Sequence, residues 1–141
     1  MCPTRIKGEK MKKIVYSLLV AIISSLALSS CTNDMQLESA IRLANRNMPQ
    51  VIDEGLTCEK VVNEDYYVTY IVSTDEDVYP IDDIRESSDL IKLLMDEELH
   101  SDPEMKDLFD MCKKCNKGIS YRYVSNQTGE SFSIDFEPYE L

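Results

Sequence analysis

Met11 to Cys31, MKKIVYSLLVAIISSLALSSC, divides this chain and decides which residues a fold can use. Lys12 and Lys13 form a positive leader, and Ile14 to Leu28 is a run of fifteen uncharged, mostly apolar residues. As a helix rising about 1.5 Å per residue it would span roughly 22 Å, short of the roughly 30 Å hydrocarbon core of a bilayer. Length and flanks fit the apolar core of a secretory signal better than a permanent membrane span. MCPTRIKGEK precedes a signal that already has its own Met, so Met11 is the expected start. Residues 1–30 are then expected to carry no fold information.

The run closes on Leu28, Ser29, Ser30 and Cys31, two small residues before a cysteine. Together with the lysines and the apolar run, this resembles the lipobox of bacterial lipoproteins. The resemblance implies that the Cys31 thiol is joined to diacylglycerol, that the chain is cut before Cys31, and that the new N-terminus is acylated. Several acyl chains, at about 0.8 kcal/mol per buried CH₂, hold a protein on a membrane stably where one chain does not. The implied address is the bacterial cell envelope, with the outer membrane favoured and the domain in the periplasm or at the cell surface. In overall style the chain is similar to small lipoproteins of Bacteroidota-type bacteria. Because the anchor does the targeting, the folded domain need not contain a membrane-binding surface. An ordinary signal peptide with an incidental Cys31, or an uncleaved anchor, is the alternative.

The remaining chain, Cys31 to Leu141, has 111 residues. That supports one domain, taken as residues 36–141 behind a lipidated tether at 31–35, and not two. Taking Arg5, Lys7, Lys10, Lys12, Lys13 and Glu9 away from 15 basic and 26 acidic residues leaves 10 and 25, a net charge of −15. Such a chain repels nucleic acid and anionic headgroups, and a cationic protein, peptide or metal ion is the more natural partner.

Periodicity predicts the elements. Leu37, Ala40, Ile41, Ala44 and Met48 recur at helical spacing behind Asn33 or Asp34 as cap, and Pro49 stops the helix. Leu56 to Val62 and Tyr66 to Ser73 read as a strand pair around Asn63, Glu64 and Asp65, with Gly55 opening the first strand and Val51 and Ile52 packing in a connector. Both faces of the second strand are apolar, which predicts a central position. Thr74 to Asp83 reads as an acidic connector. Ser88 to His100 carries a stripe of Ile91, Leu94, Met95 and Leu99, with Leu90 at its edge. Ser101, Pro103 and Glu104 predict a capped start for a helix to Lys117, with Met105, Leu108, Phe109, Cys112 and Cys115 on its stripe and Gly118 as its stop. Ile119 to Ser125 and Glu130 to Glu137 complete a second hairpin.

The expected fold is α+β in the order α-β-β-α-α-β-β, an antiparallel four-stranded sheet with helices packed on one face. Gly55-Leu56-Thr57 and Gly118-Ile119-Ser120 both follow a helix end and open a hairpin, which suggests an internal αββ repeat. The arrangement resembles the helix-plus-hairpin units of PepSY and β-lactamase-inhibitor-protein modules.

Candidate chemistry is sparse. Cys112-Lys113-Lys114-Cys115 is a CxxC motif, but it closes a helix where thioredoxin-like sites open one, so the helix dipole opposes a thiolate. Core thiols or a structural disulfide are favoured over a catalytic dithiol. Cys58 can pair with Cys115 or Cys112, and a bridge within the CxxC competes. With His100, the sole histidine, the three thiols form the one Cys₃His set available to zinc, although His100 falls off its helix's apolar stripe. Asp75, Glu76, Asp77, Asp82 and Asp83 lack the order of an EF-hand loop and read as a solvated loop. GxSxG, HExxH and phosphate-loop motifs do not occur. The tyrosines suggest a binding face on the sheet.

The sequence therefore predicts a non-enzymatic envelope lipoprotein with no cofactor or metal. It touches the membrane through lipid on Cys31, binds or assists another protein, and has no nucleic-acid partner. A thiol redox protein using the CxxC, and an inhibitor or immunity-type protein capturing a basic partner, are the alternatives.

Overall fold

A computed structural model describes residues 33–141. Cys31 lies outside the described residues. The elements are α1 (Asn33–Asn45), β1 (Gln50–Asp53), β2 (Leu56–Asn63), β3 (Tyr67–Thr74), α2 (Ile81–Glu86), α3 (Ser88–Ser101), α4 (Pro103–Lys114), β4 (Gly118–Ser125) and β5 (Ser131–Phe136), then a 3₁₀ turn at Pro138–Glu140. The α+β class is as expected. The sheet has five strands rather than four, in the spatial order β1-β2-β3-β4-β5.

The added strand is the segment read as a connector. Glu54 and Gly55 turn the chain so tightly that Asp53 pairs with Leu56. Gly55 has φ +83°, a conformation that glycine adopts at little cost. Gly55 therefore closes a hairpin as well as opening β2. Four residues at an edge, with Val51 facing solvent, are too few for alternation to reveal.

The sheet is also not wholly antiparallel. β3 and β4 pair in parallel over their whole length, Tyr67 with Gly118 through Thr74 with Ser125. The other neighbouring pairs are antiparallel. Parallel strands need a crossover connection, and α2, α3 and α4 supply it. They return the chain from the Thr74 end of β3 to its Tyr67 end. Hydrophobic patterning marks which residues face the core but not the direction of the neighbouring strand. The centre of the sheet is β3, as expected, although its second face is more polar than the sequence suggested.

Helix α2 lies in the stretch read as an acidic connector. Asp82 and Asp83 sit in its first turn, where the dipole favours carboxylates. Ile81 and Ile84 bury its inner face. Asp102, not Ser101, caps α4: its carboxylate accepts from the Glu104 N–H at 2.9 Å, while the Ser101 hydroxyl donates to the Glu98 carbonyl. α4 ends at Lys114, earlier than expected, and Asn116 at φ 54° makes the left-handed residue that glycine was expected to supply. Gly118 instead begins β4.

Buried side chains on one face of the sheet meet the helices. Val68, Tyr70 and Val72 alternate on β3, Ile119, Tyr121 and Tyr123 on β4, and Ile134 and Phe136 on β5. On β2, Cys58 and Val61 are both buried although three residues apart, because the register shifts between Cys58 and Lys60. Leu37, Ala40, Ile41 and Ala44 bring α1 onto this core. Asn45 anchors its end, donating to the Val61 carbonyl at 2.8 Å and accepting the Val61 N–H at 2.7 Å. The opposite side of the β3–β4 pair is polar at its centre. Thr69 donates to Glu64, Ser120 donates to Asp135, and Arg122 grips Glu64 at 2.9 Å. Hydrogen bonds from Thr69 and Arg122 hold the Glu64 carboxyl below its usual range. No described helix is long and apolar enough to cross a membrane.

Candidate docking surface

α3 is apolar on two sides. Ile91, Met95 and Leu99 face the core. Leu90 and Leu93 project outward, about half exposed. The C-terminal residues flank that outer side. Glu137 and Glu140 close a capping box around the 3₁₀ turn, Lys92 donates to Glu140 at 3.2 Å, and Leu141 is buried with its carbonyl 3.3 Å from His100 Nε2. The Glu137 N–H, followed by Lys92, keeps the Glu140 carboxyl below its usual range. Tyr139 is left 87% exposed, the most exposed large apolar side chain among the described residues.

Between α3 and this C-terminal strap runs an open groove of about 600 Å³, lined by Asp89, Lys92, Leu93, Asp96, His100 and Glu140. A second hollow of about 380 Å³ lies beyond Lys92 against β5 and Tyr139. A third, of about 280 Å³, lies beyond His100 against Phe109 and Leu141. The groove shares Asp89, Lys92 and Glu140 with the second hollow and His100 with the third, so the three adjoin as a concave strip. Neither Lys92 nor His100 is idle in the fold: Lys92 sits 5.3 Å above the Phe136 ring, and the His100 ring tilts against Phe109 at 5.4 Å. The strip combines apolar surface with carboxylates and has no nucleophile–base pair. It is suited to receiving an apolar segment flanked by cations.

The residues singled out by sequence fall elsewhere. Cys58 on β2 and Cys112 in the last turn of α4 are fully buried, Cys115 at the cap of α4 is half-buried, and all three thiols are free. Burial pushes Cys58 up to about 11 and Cys112 up to about 12. Cys115 is raised by burial and by its hydrogen bond to Asp34. Thiolate is the reactive form, so Cys58 and Cys112 are expected to resist alkylation at neutral pH in the native protein. Cys115 should modify first, and the other two only on unfolding. Mass spectrometry after timed iodoacetamide treatment reads the order, and fast native labelling of Cys112 would contradict it.

His100 joins no metal cluster: among the described residues no grouping of three His, Cys, Asp or Glu side chains fits an ion. The acidic connector is used locally, with Asp75 accepting from Asp77 N and from Gln127, Glu76 accepting from Ile81 N, and Asp82 pairing with Arg85. The tyrosine-bearing sheet face does not form. Tyr70, Tyr79, Tyr121 and Tyr123 are buried, while Tyr66 and Tyr139 are exposed at chain turns. Sequence reasoning missed Leu93 and Glu140, and took Tyr139 only as one of the tyrosines of a binding sheet face. Leu90 and Leu93, apolar and three apart but off the core stripe, were the available signal.

What the fold defines is a small α+β domain with a mixed five-stranded sheet. Two solved structures share it. A protein of Pseudomonas aeruginosa taken to be secreted aligns at TM-score 0.63 and 13% identity, covering 79% of this chain and 98% of that one. The pilotin of the Vibrio vulnificus type 2 secretion system, EpsS, aligns at TM-score 0.53 and 9% identity, covering 77% and 90%. No family model and no curated protein matches the chain.

Proposed function

We propose that this protein is a non-enzymatic lipoprotein of the bacterial cell envelope, anchored through Cys31, whose domain assists another envelope protein by binding it. The observation that carries this reading is the concave strip beside α3, where Leu93 and Tyr139 are exposed among carboxylates. The lipobox pattern of Lys12 to Cys31 supports the anchor. The shared fold with a pilotin supports a partner in a secretion assembly. The partner's contacting segment is apolar with basic flanks, complementary to Asp89, Asp96 and Glu140.

A photo-crosslinking residue at Leu93 in the membrane-bound protein tests this. It is expected to give one discrete adduct, and the same residue at exposed Glu130 none. L93D is expected to weaken capture at least tenfold, as for a central contact worth about 2 kcal/mol. Equal crosslinking at both positions would sink the proposal. An inhibitor or immunity role would use the same strip and would differ in tight, salt-sensitive capture of a basic protein. The free, buried, high-pKa thiols speak against a redox role.

A further inference from the structure

We infer that the domain rests on the bilayer through one end of its fold, with Met35 and Tyr66 seated in the headgroup layer and Lys113 and Lys114 among the phosphates. This rests on the proposed lipidation of Cys31.

The first support is chain length. The described part of α1 starts at Asn33, two residues after Cys31. Two residues reach about 7 Å at most, so an anchored Cys31 holds the start of α1 at the membrane surface. The second is what surrounds that start. The Cys115 thiol donates to Asp34, which places the end of α4, with exposed Lys113 and Lys114, beside it. Glu38, one turn further along α1, accepts from Asn63 at 3.3 Å. Lys117 donates to Asn63 and, at 2.7 Å, to the Glu64 carbonyl. The start of α1, the end of α4 and the β2–β3 turn are therefore stitched into one end of the molecule.

That end carries two of the domain's exposed large apolar side chains, Met35 at 57% and Tyr66 at 77%. Tyrosine is favoured at membrane interfaces because its ring is apolar and its hydroxyl wet. Lysine stems lie along apolar surface with their ammonium groups in water or on phosphate. Asp34, Glu38 and Asp65 share this end, so its charge is mixed. The seat accordingly needs no anionic lipid, and the strongly negative charge of the whole domain does not prevent it, since exposed charges beyond about 10 Å are screened.

The chain contains no tryptophan, so an introduced indole is a unique probe. Tyr66→Trp is compared with Val51→Trp in the full lipidated protein on phosphatidylcholine vesicles. Val51 pairs with Thr57, six residues along β2 from Asn63, about 20 Å away at roughly 3.3 Å per residue. The Y66W indole is expected to emit at shorter wavelength and to be quenched several-fold more by headgroup-proximal lipid quenchers than the V51W indole, with little change in high salt. If the protein floats with vesicles while both indoles report water equally, the seat is wrong and the anchor stands. If it fails to float, the anchor reading and the seat fall together.

Discussion

Replacing Gly118 by alanine is expected to cost about 3 kcal/mol or more, at the severe end of overpacking effects. The change alters neither charge nor hydrophobic pattern. A Cβ at 118 would stand 2.2 Å from the Phe136 carbonyl oxygen and 2.9 Å from Tyr67 Cδ1 and Cε1. The first of these atoms is backbone of β5 and cannot swing aside. Retreat toward β3 is blocked too, because the Gly118 N–H already donates to the Tyr66 carbonyl at 2.9 Å. Relief therefore means breaking the β4–β5 ladder where Ile119 meets Phe136. Gly129→Ala is the comparison: its φ of +74° carries strain, but nothing lies within 4 Å of its Cβ. It is expected to cost about 1 kcal/mol, as for one residue held in the left-handed region. Urea unfolding midpoints of the two variants decide the matter. Equal losses would mean that the close approach of β5 to Gly118 does not govern the site.

The second large effect has the opposite sign. Tyr121→Phe with Tyr123→Phe is expected to stabilise the protein by about 2 kcal/mol. Both hydroxyls are buried and find no hydrogen-bond partner among the described residues, and an unpaired buried hydroxyl costs about 1–3 kcal/mol. Burial also pushes both phenols far above their usual pKa. Phenylalanine removes the oxygen and keeps the ring. Tyr121 would still stack on Tyr70 at 5.0 Å and meet the Phe136 edge at 6.2 Å. Tyr79→Phe is the internal contrast, since that hydroxyl donates to Asp53 at 2.6 Å. Its removal is expected to destabilise by about 1 kcal/mol. A double variant less stable than the parent would show that the two hydroxyls are paired in solution.

Much of the fold was legible because local periodicity and burial agree. The stripes of α1, α3 and α4 packed inward nearly as read, and Phe132, Ile134 and Phe136 alternate on β5 as expected. Single-residue signals were less reliable. Ser101 looked like a cap, yet Asp102, one residue later, has the better-placed carboxylate. Gly118 looked like a helix stop, but its lack of a Cβ serves strand packing instead. The docking strip was the least legible feature. It is built from α3 and from Tyr139 and Glu140, roughly forty to fifty residues away in sequence, and no pattern in either segment refers to the other.

By itself, the sequence determined the α+β class, the placement of the long helices and hairpins, and the expectation of an anchored, exported domain. These depend on near neighbours along the chain: the period of apolar residues, turn residues, and a charged leader before an apolar run. Tertiary structure alone decided the parallel β3–β4 pairing, the β1 edge, the burial of the Tyr121 and Tyr123 hydroxyls away from any partner among the described residues, and the gathering of Met35, Tyr66, Lys113 and Lys114 at one end. Each of these depends on which surfaces meet when distant segments pack. One hydrophobic pattern is compatible with several such meetings, and steric fit and hydrogen bonding across the sheet select among them.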